Sequence, residues 1–356
     1  MDIQCGLRLH KIIIVKIAAI GDVVMALPLL AHLRTHFPES HITWICGEQV
    51  KPLIEATGLV DRLIAVNEKK LLRGNVFSKF YTLFKIWSCL LGQKFDLSLT
   101  LHPDPRYRWI PFPIRCKERR FLTRRGRRIN PIPGRYHVTE YLRLFTGNDG
   151  PEETPPVFPK IHLPKDEYVR EVLISLEGKP IVVIAPGGAK NVLADDALRR
   201  WPISAYAVLM KGLNDYPIHL LVVGTESDRW VVEHLRGVRY RDLIGKLELL
   251  QCLSLLEGSQ LLITHDSGPL HLTKLVNCPA IGLFGPTNPF EKVGKGEKIK
   301  VLWGGERLAC RPCYDGKTYA ACKRNLCLEN IKPQRVLQEA LELLGAPKCN
   351  VKRALH

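Results

Sequence analysis

The sequence predicts an α/β protein built as two doubly wound parallel-sheet domains, and three observations carry that expectation. Short β-branched runs alternate with stretches of helical periodicity from residue 11 almost to the C-terminus, the pattern of successive βαβ units. Residues 148–164 are rich in Pro, Gly and acidic side chains, and a fresh strand and helix alternation follows them, as after an interdomain linker. Residues 261–286 read as one whole unit: a buried strand over 261–264, a polar turn over 265–268, a short helix over 269–276 and a second buried strand over 280–284. The expected domains are 11–164 and 165–345, and 356 residues suffice for two sizeable cores.

In the first half, residues 11–16 read as a central parallel strand, 18–22 as the turn after it and 23–36 as a helix that tolerates Pro28 near its first turn. Strands are expected over 41–46, 61–66 and 95–101, with helices over 51–58 and 71–94. The last of these helices places Phe77, Phe80, Tyr81, Phe84 and Trp87 at helical spacing, with Lys69, Lys70, Arg73, Lys79, Lys85 and Lys94 around them. Such a helix either turns its rings into a core or rests them on anionic lipid headgroups. In the second half, strands are expected over 181–185 and 219–223, a helix over 204–213 and a terminal helix over 333–344. Each of these strand ends carries a Gly turn, and ligands of open α/β sheets gather along that edge. Residues 1–10 read as a frayed extension and those from 348 onward as a disordered tail.

Composition narrows the partners. The net charge of +17 and pI near 9.5 call for something acidic, whether nucleic acid, an anionic membrane or a phosphorylated substrate. Arginines concentrate over 105–137, among them Arg106, Arg108, Arg120 and Arg124, opposed there only by Glu118. So one-sided a cluster suits an anionic ligand, since a solvated face usually mixes signs; no RNA-binding, helix-turn-helix or zinc-finger pattern stands beside it. Eleven cysteines, an odd number scattered along the chain, fit a reducing compartment. Lys16 and Asp22 interrupt the first apolar run, so it is not read as a signal peptide. No other apolar stretch is long enough to span a bilayer, and the protein is expected to be soluble, at most resting on a membrane. There is neither G-x-G-x-x-G nor G-x-x-x-x-G-K-[ST], so neither a dinucleotide dehydrogenase nor a P-loop NTPase is supported.

The chemistry-bearing residues lie at the strand ends. A turn such as 265–268, opening a helix, offers unpaired amides and partial positive charge to an anion. Asp266 and Ser267 can equally be plain helix caps there. Asp22 lies on the turn after the first strand, where it is either a cap or a carboxylate placed to take a hydroxyl proton. Cys310, Cys313, Cys322 and Cys327 form a C-x2-C followed by a looser pair, readable as structural zinc, a disulfide or plain thiols.

The run Asp266, Ser267, Gly268, His271, followed by Phe284-Gly285-Pro286-Thr287, resembles the donor-binding signature of glycosyltransferase family 9, the family of the ADP-heptose:lipopolysaccharide heptosyltransferases. Gly21-Asp22 through Pro28, Pro186-Gly187, Arg199 to Pro202, and Gly224 with Asp228 resemble further elements of it, in the family's order. The resemblance implies a GT-B fold, two Rossmann-like domains facing across a cleft, the first taking the acceptor and the second a nucleotide-sugar. It implies Asp22 as general base and Arg199 as the cation that neutralises the departing diphosphate. Gly21, Gly187, Asp228, Asp266, Ser267, Gly268 and His271 would bind the donor, Asp228 through the ribose hydroxyls. His271 stays open between a phosphate contact and a buried, backbone-bonded histidine. Arg106, Arg108, Arg120 and Arg124 would bind the acceptor.

Implied with these are ADP-L-glycero-D-manno-heptose as donor, the lipopolysaccharide inner core as acceptor, and inverting transfer with no metal or cofactor required. A cytoplasmic monomer, peripheral on the inner face of the inner membrane and without nucleic acid, completes the implication. In one respect the chain departs from the family: Ala18, Ala19 and Ile20 stand where a hydroxyl residue usually precedes the Gly, so a contact from that hydroxyl to the donor is lost. Two readings of other classes compete, a catalytically inactive lipid- or carbohydrate-binding protein on the same fold and a nucleic-acid-binding protein.

Overall fold

The structure, a computed structural model, describes residues 9–123, 131–149, 155–190, 195–314, 319 and 321–345. The calls on residues 1–8, on Arg124 and on the tail from 348 lie outside the described residues. The chain divides into two compact units. One holds the described residues up to His162 together with Phe290–Lys295, and the other holds those from Leu163 to Pro289 and from Gly296 onward.

In the first unit, strands β1 (Lys11–Val15), β2 (His41–Gly47), β3 (Arg62–Val66), β4 (Lys94–Thr100) and β5 (Arg115–Phe121) form a sheet of order β3-β2-β1-β4-β5. Every pairing is parallel, and Ile14 of β1 lies in register between Trp44 and Leu99. Helices α1 (Ile20–His36), α2 (Lys51–Glu55), α3 (Glu68–Leu72), α4 (Val76–Leu90) and α5 (His137–Thr146) belong to this unit. In the second unit, β6 (Ile181–Ala185), β7 (His219–Val222), β8 (Arg241–Asp242), β9 (Leu261–His265), β10 (Ala280–Phe284) and β11 (Ile299–Trp303) run parallel in the order β11-β10-β9-β6-β7-β8. With them go α6 (Glu167–Ile174), α7 (Ile203–Leu213), α8 (Leu249–Glu257), α9 (Gly268–Leu272), α10 (Leu326–Glu329) and α11 (Pro333–Leu343).

The expected class, two parallel-sheet Rossmann-like units, is therefore present. Central strands are buried on both faces and so are largely apolar: Ile12 to Val15, and all of β6, β9 and β10, are buried, with the polar Thr264 and His265 only at the end of β9. Each strand order reverses once, between β1 and β4 in the first sheet and between β6 and β9 in the second. Loops leaving neighbouring strands at a reversal diverge to opposite faces, which opens a crevice at their carboxyl ends. The loops after β1, β4, β6 and β9 are thus where a ligand belongs.

Several expectations need correction. The helix expected over 71–94 is two, α3 and α4, separated at Gly74-Asn75, where the Asn75 side chain accepts from Ser78 N at 2.8 Å and caps the second. Lys94 opens β4. Inside the arginine-rich segment lies β5, an edge strand whose charged side chains suit an edge and conceal it from an apolar pattern. The strand β11 and the helices α5, α6 and α8 are further elements that the alternation of patterns did not reveal. The helix expected over 269–276 is only the five residues of α9. Asp22 lies within the first turn of α1 and not on a turn before it; the N-cap is Ala19, which makes no side-chain capping bond.

Ile263 is fully buried at the centre of the second core. Ile263→Ala is expected to cost about 2–5 kcal/mol, measured as a lower urea midpoint, and an unchanged midpoint would contradict that core assignment.

Candidate active site

At the first switch point the chain leaves β1 through Lys16, which is 2% exposed. Its Nζ lies 3.2 Å from Asp22 Oδ2, 3.4 Å from the Leu101 carbonyl and 5.3 Å from the centre of the Tyr141 ring. Burial works against the ammonium, but Asp22 and Tyr141 outweigh it, so Lys16 is held above its ordinary value. Burial likewise works against the Asp22 carboxylate; Lys16, then Lys292 and His137, overcome it and hold the carboxyl well below the usual carboxylate range. Asp22 is accordingly ionised at neutral pH, and its side chain keeps about a third of its surface open. The first-turn position adds the favourable end of the α1 dipole. After β4, His102 Nε2 accepts from Ile17 N at 3.0 Å while its ring stacks on Tyr107. Burial first, and the Lys16 charge second, keep that histidine neutral, so its ring nitrogen stays available to accept from Ile17 and fixes the loop.

At the second switch point the Gly187–Gly188 turn follows β6. A Cβ on Gly187 would lie 2.5 Å from the Asp228 carboxyl carbon, and Gly188 has φ of +78°, so both positions call for glycine. Asp228 is buried; its Oδ1 accepts from Gly188 N and its Oδ2 from Thr225 N and Oγ1, each at 2.8 Å. Both oxygens are thereby engaged within the unit. The geometry gives Asp228 a capping and turn-holding role. Ser267, at the N-cap of α9, lies against Gly188, with Thr264 Oγ1 at 3.1 Å from its own Oγ. This brings the turns after β6 and β9 together.

Behind them Arg199 ties into Asp266. Its Nη2 is 2.9 Å from Asp266 Oδ2 and donates to the Asp266 carbonyl at 2.8 Å, while Nη1 is 3.5 Å from Asp196. Asp266 is 1% exposed, and His271 Nε2 lies 3.6 Å from its other oxygen. Burial alone would lower Arg199, yet Asp266 keeps the guanidinium firmly charged. The buried Nε has no hydrogen-bond partner among the described residues, so one donor is left over from these pairs. His265, in contrast, is a core histidine: burial drops it to about 3, and its Nδ1 lies 3.1 Å from the Tyr206 hydroxyl.

The expected acceptor arginines are less bare than their sequence suggests. Arg106 pairs with Asp104 at 2.7 Å, Arg108 lies 3.6 Å over the Phe121 ring, and Arg120 pairs with Glu118 at 2.7 Å and donates to the Phe145 carbonyl. Arg106 alone of these three has most of its side chain exposed. Cys310, Cys313, Cys322 and Cys327 are free thiols, and among the described residues no group of three or more His, Cys, Asp or Glu converges on a metal position.

The family model for Glycosyltransferase family 9 (heptosyltransferase) matches residues 115–322, more than half of the chain. The chain belongs to that family. It is a glycosyltransferase, as the motifs implied. It is 25% identical to the lipooligosaccharide heptosyltransferase 2 of Haemophilus ducreyi, over 94% of this chain and 99% of the relative. Its fold is similar to that of a family 9 glycosyl transferase from Veillonella parvula (TM-score 0.73, 21% identity, covering 95% of this chain and 98% of that one). It is similar also to the E. coli ADP-heptose lps heptosyltransferase II (TM-score 0.68, 20% identity, covering 94% and 98%).

Several side chains of this candidate site had no signal of their own in the sequence. Lys16 was notable only for interrupting an apolar run, although a lysine at the end of a buried strand demands a counter-charge. Tyr141, His137 and Lys292 reach Asp22 or Lys16 from distant positions and carry no local pattern. If Lys16 is what keeps Asp22 acidic, the carboxyl in Lys16→Met will titrate at higher pH than in the parent. The 13C shift of the labelled carboxyl reads this directly, and coincident titration curves would refute the coupling.

Proposed function

We propose that this chain transfers a heptose from ADP-L-glycero-D-manno-heptose to the inner core of lipopolysaccharide in one inverting step. An acceptor hydroxyl attacks the anomeric carbon and gives its proton to Asp22, while the bond from that carbon to the diphosphate oxygen breaks and ADP departs. The observation that carries this reading is the ionised, partly open Asp22 carboxylate at the β1/β4 switch point, backed by a buried ammonium. A general base must be deprotonated and reachable at working pH, and Lys16 secures the first condition.

The second unit is assigned to the donor. Gly187–Gly188 and Ser267–Gly268 bring backbone close to a ligand, and Arg199 supplies the cation that meets the leaving diphosphate. Since α9 is only five residues long, more of that task falls on Arg199 and less on the helix dipole than the motif alone implied. His271, held against Asp266, is given the role of orienting that carboxylate beside Arg199. Fixed donors and a cation stabilise the leaving charge here, so the step is written without a metal. The names of the similar proteins, one for ADP-heptose and lipopolysaccharide and one for lipooligosaccharide, support the choice of donor and acceptor. The chain is placed in the cytoplasm, where a nucleotide-sugar is at hand; among the described residues no helix is long and apolar enough to cross a membrane.

Asp22→Asn should lower kcat by roughly 100- to 10,000-fold, the usual scale for a lost general base, while calorimetry finds ADP binding unaltered. Wild-type turnover in that variant would end the reading. Calorimetry should also rank ADP above UDP and GDP, and Arg199→Met should weaken ADP binding by about tenfold, near the value of one charged hydrogen bond.

A further inference from the structure

Helix α4 carries its aromatic side chains outward. Phe77 is 85% exposed and Phe80, Tyr81 and Phe84 about 60%, whereas Thr82, Ile86 and Leu90 on the opposite side are buried. Positions 77, 80, 81 and 84 follow the i, i+3, i+4, i+7 spacing of one helical face. The patch continues beyond the helix. Trp87 Nε1 donates to the Trp109 carbonyl at 3.1 Å, and Phe80, Trp87, Phe112 and Trp109 form a chain of ring contacts between 5.2 and 6.5 Å. Trp109 and Phe112 are themselves more than half exposed, and with Pro105 and Arg108 they line a cavity of about 330 Å³.

So many exposed rings on one face exceed what a solvated surface needs, and the charges around them are one-sided. Residues 68–91 hold five cations, Lys69, Lys70, Arg73, Lys79 and Lys85, against the single acid Glu68; Lys85 lies 4.8 Å over the Tyr81 ring. An aromatic centre with a cationic rim matches the boundary between acyl chains and anionic headgroups. A second copy of the chain fits poorly, because a two-fold interface would set these cations against one another.

We propose that this face, α4 with the Trp109–Phe112 turn, docks the protein on an anionic lipid bilayer. The inference deepens the reading of a lipid-linked acceptor, giving that enzyme the surface on which it meets its substrate. The test is co-sedimentation of the full chain with phosphatidylcholine vesicles and with vesicles that also contain phosphatidylglycerol, no sugar acceptor or nucleotide being present. Binding should require the anionic lipid, fall with salt, and blue-shift tryptophan emission.

Phe77→Ser and Phe84→Ser should each lower the partition coefficient by about tenfold, the scale of withdrawing half a Phe side chain from lipid. Lys79→Glu with Lys85→Glu should lower it further, while circular dichroism and ADP affinity stay those of the parent. The proposal falls if the wild type ignores the anionic vesicles or if the Phe variants bind them like the parent. It falls equally if those variants instead abolish a lipid-free dimer in the ultracentrifuge. Since no substrate enters the assay, failure here leaves the transferase reading standing, and absence of ADP binding leaves docking standing.

Discussion

An ammonium buried at the end of the central strand must have a counter-charge, and much of the first unit is arranged to provide one. An unpaired cation in such a place costs several kcal/mol even after relaxation. Lys16 meets that demand with Asp22, the Leu101 carbonyl and the Tyr141 ring. The backbone there is pinned as well: Trp44 Nε1 donates to the Lys16 carbonyl at 3.0 Å, and Ile17 N donates to neutral His102. Three strands and two helices therefore converge on one ion pair, whose open end is the Asp22 carboxylate. A pairing that resembles a structural necessity is thus also what presents an ionised group at the ligand edge of the sheet.

The second unit solves the same problem with the signs arranged differently. Asp228 spends both oxygens on a backbone turn, and Asp266 spends its charge on Arg199. Neither carboxylate is open, so the strand-end loops offer a ligand glycine backbone, a serine hydroxyl and one guanidinium edge. Such a surface suits a negatively charged guest, for free carboxylates at that spot would repel it. The two units thus differ in kind: the first keeps a carboxylate partly open at its strand ends, and the second closes both of its own.

Most of the site's positions were legible because the fold puts chemistry at strand ends and strands are the easiest elements to read. The β-branched runs before Asp22, Gly187 and Asp266 located those loops to within a residue or two. Roles were harder to read. Asp228 sits where a ribose-binding acid would, and only the positions of Thr225 and Gly188 reveal that its oxygens are occupied. The arginines of 105–137 read as opposed only by Glu118, whereas Asp104 pairs with Arg106, and side chains of β5, Phe121 and Glu118, lie against Arg108 and Arg120. That strand escaped notice because an edge strand can be made of Arg, Lys and Glu.

By itself the sequence determined the class, the central parallel strands and the loops that follow them, since each follows from local apolar runs and the glycines that end them. The ionisation of Asp22, the engagement of Asp228 and Asp266, and the side of α4 that faces water were decided only by the tertiary structure. Aromatic spacing of 3.6 residues is the same whether rings point into a core or away from it, and a carboxylate reads the same with or without a lysine beneath it. What separates these cases is burial and the company of residues distant in the chain, which exist only once the sheets have formed.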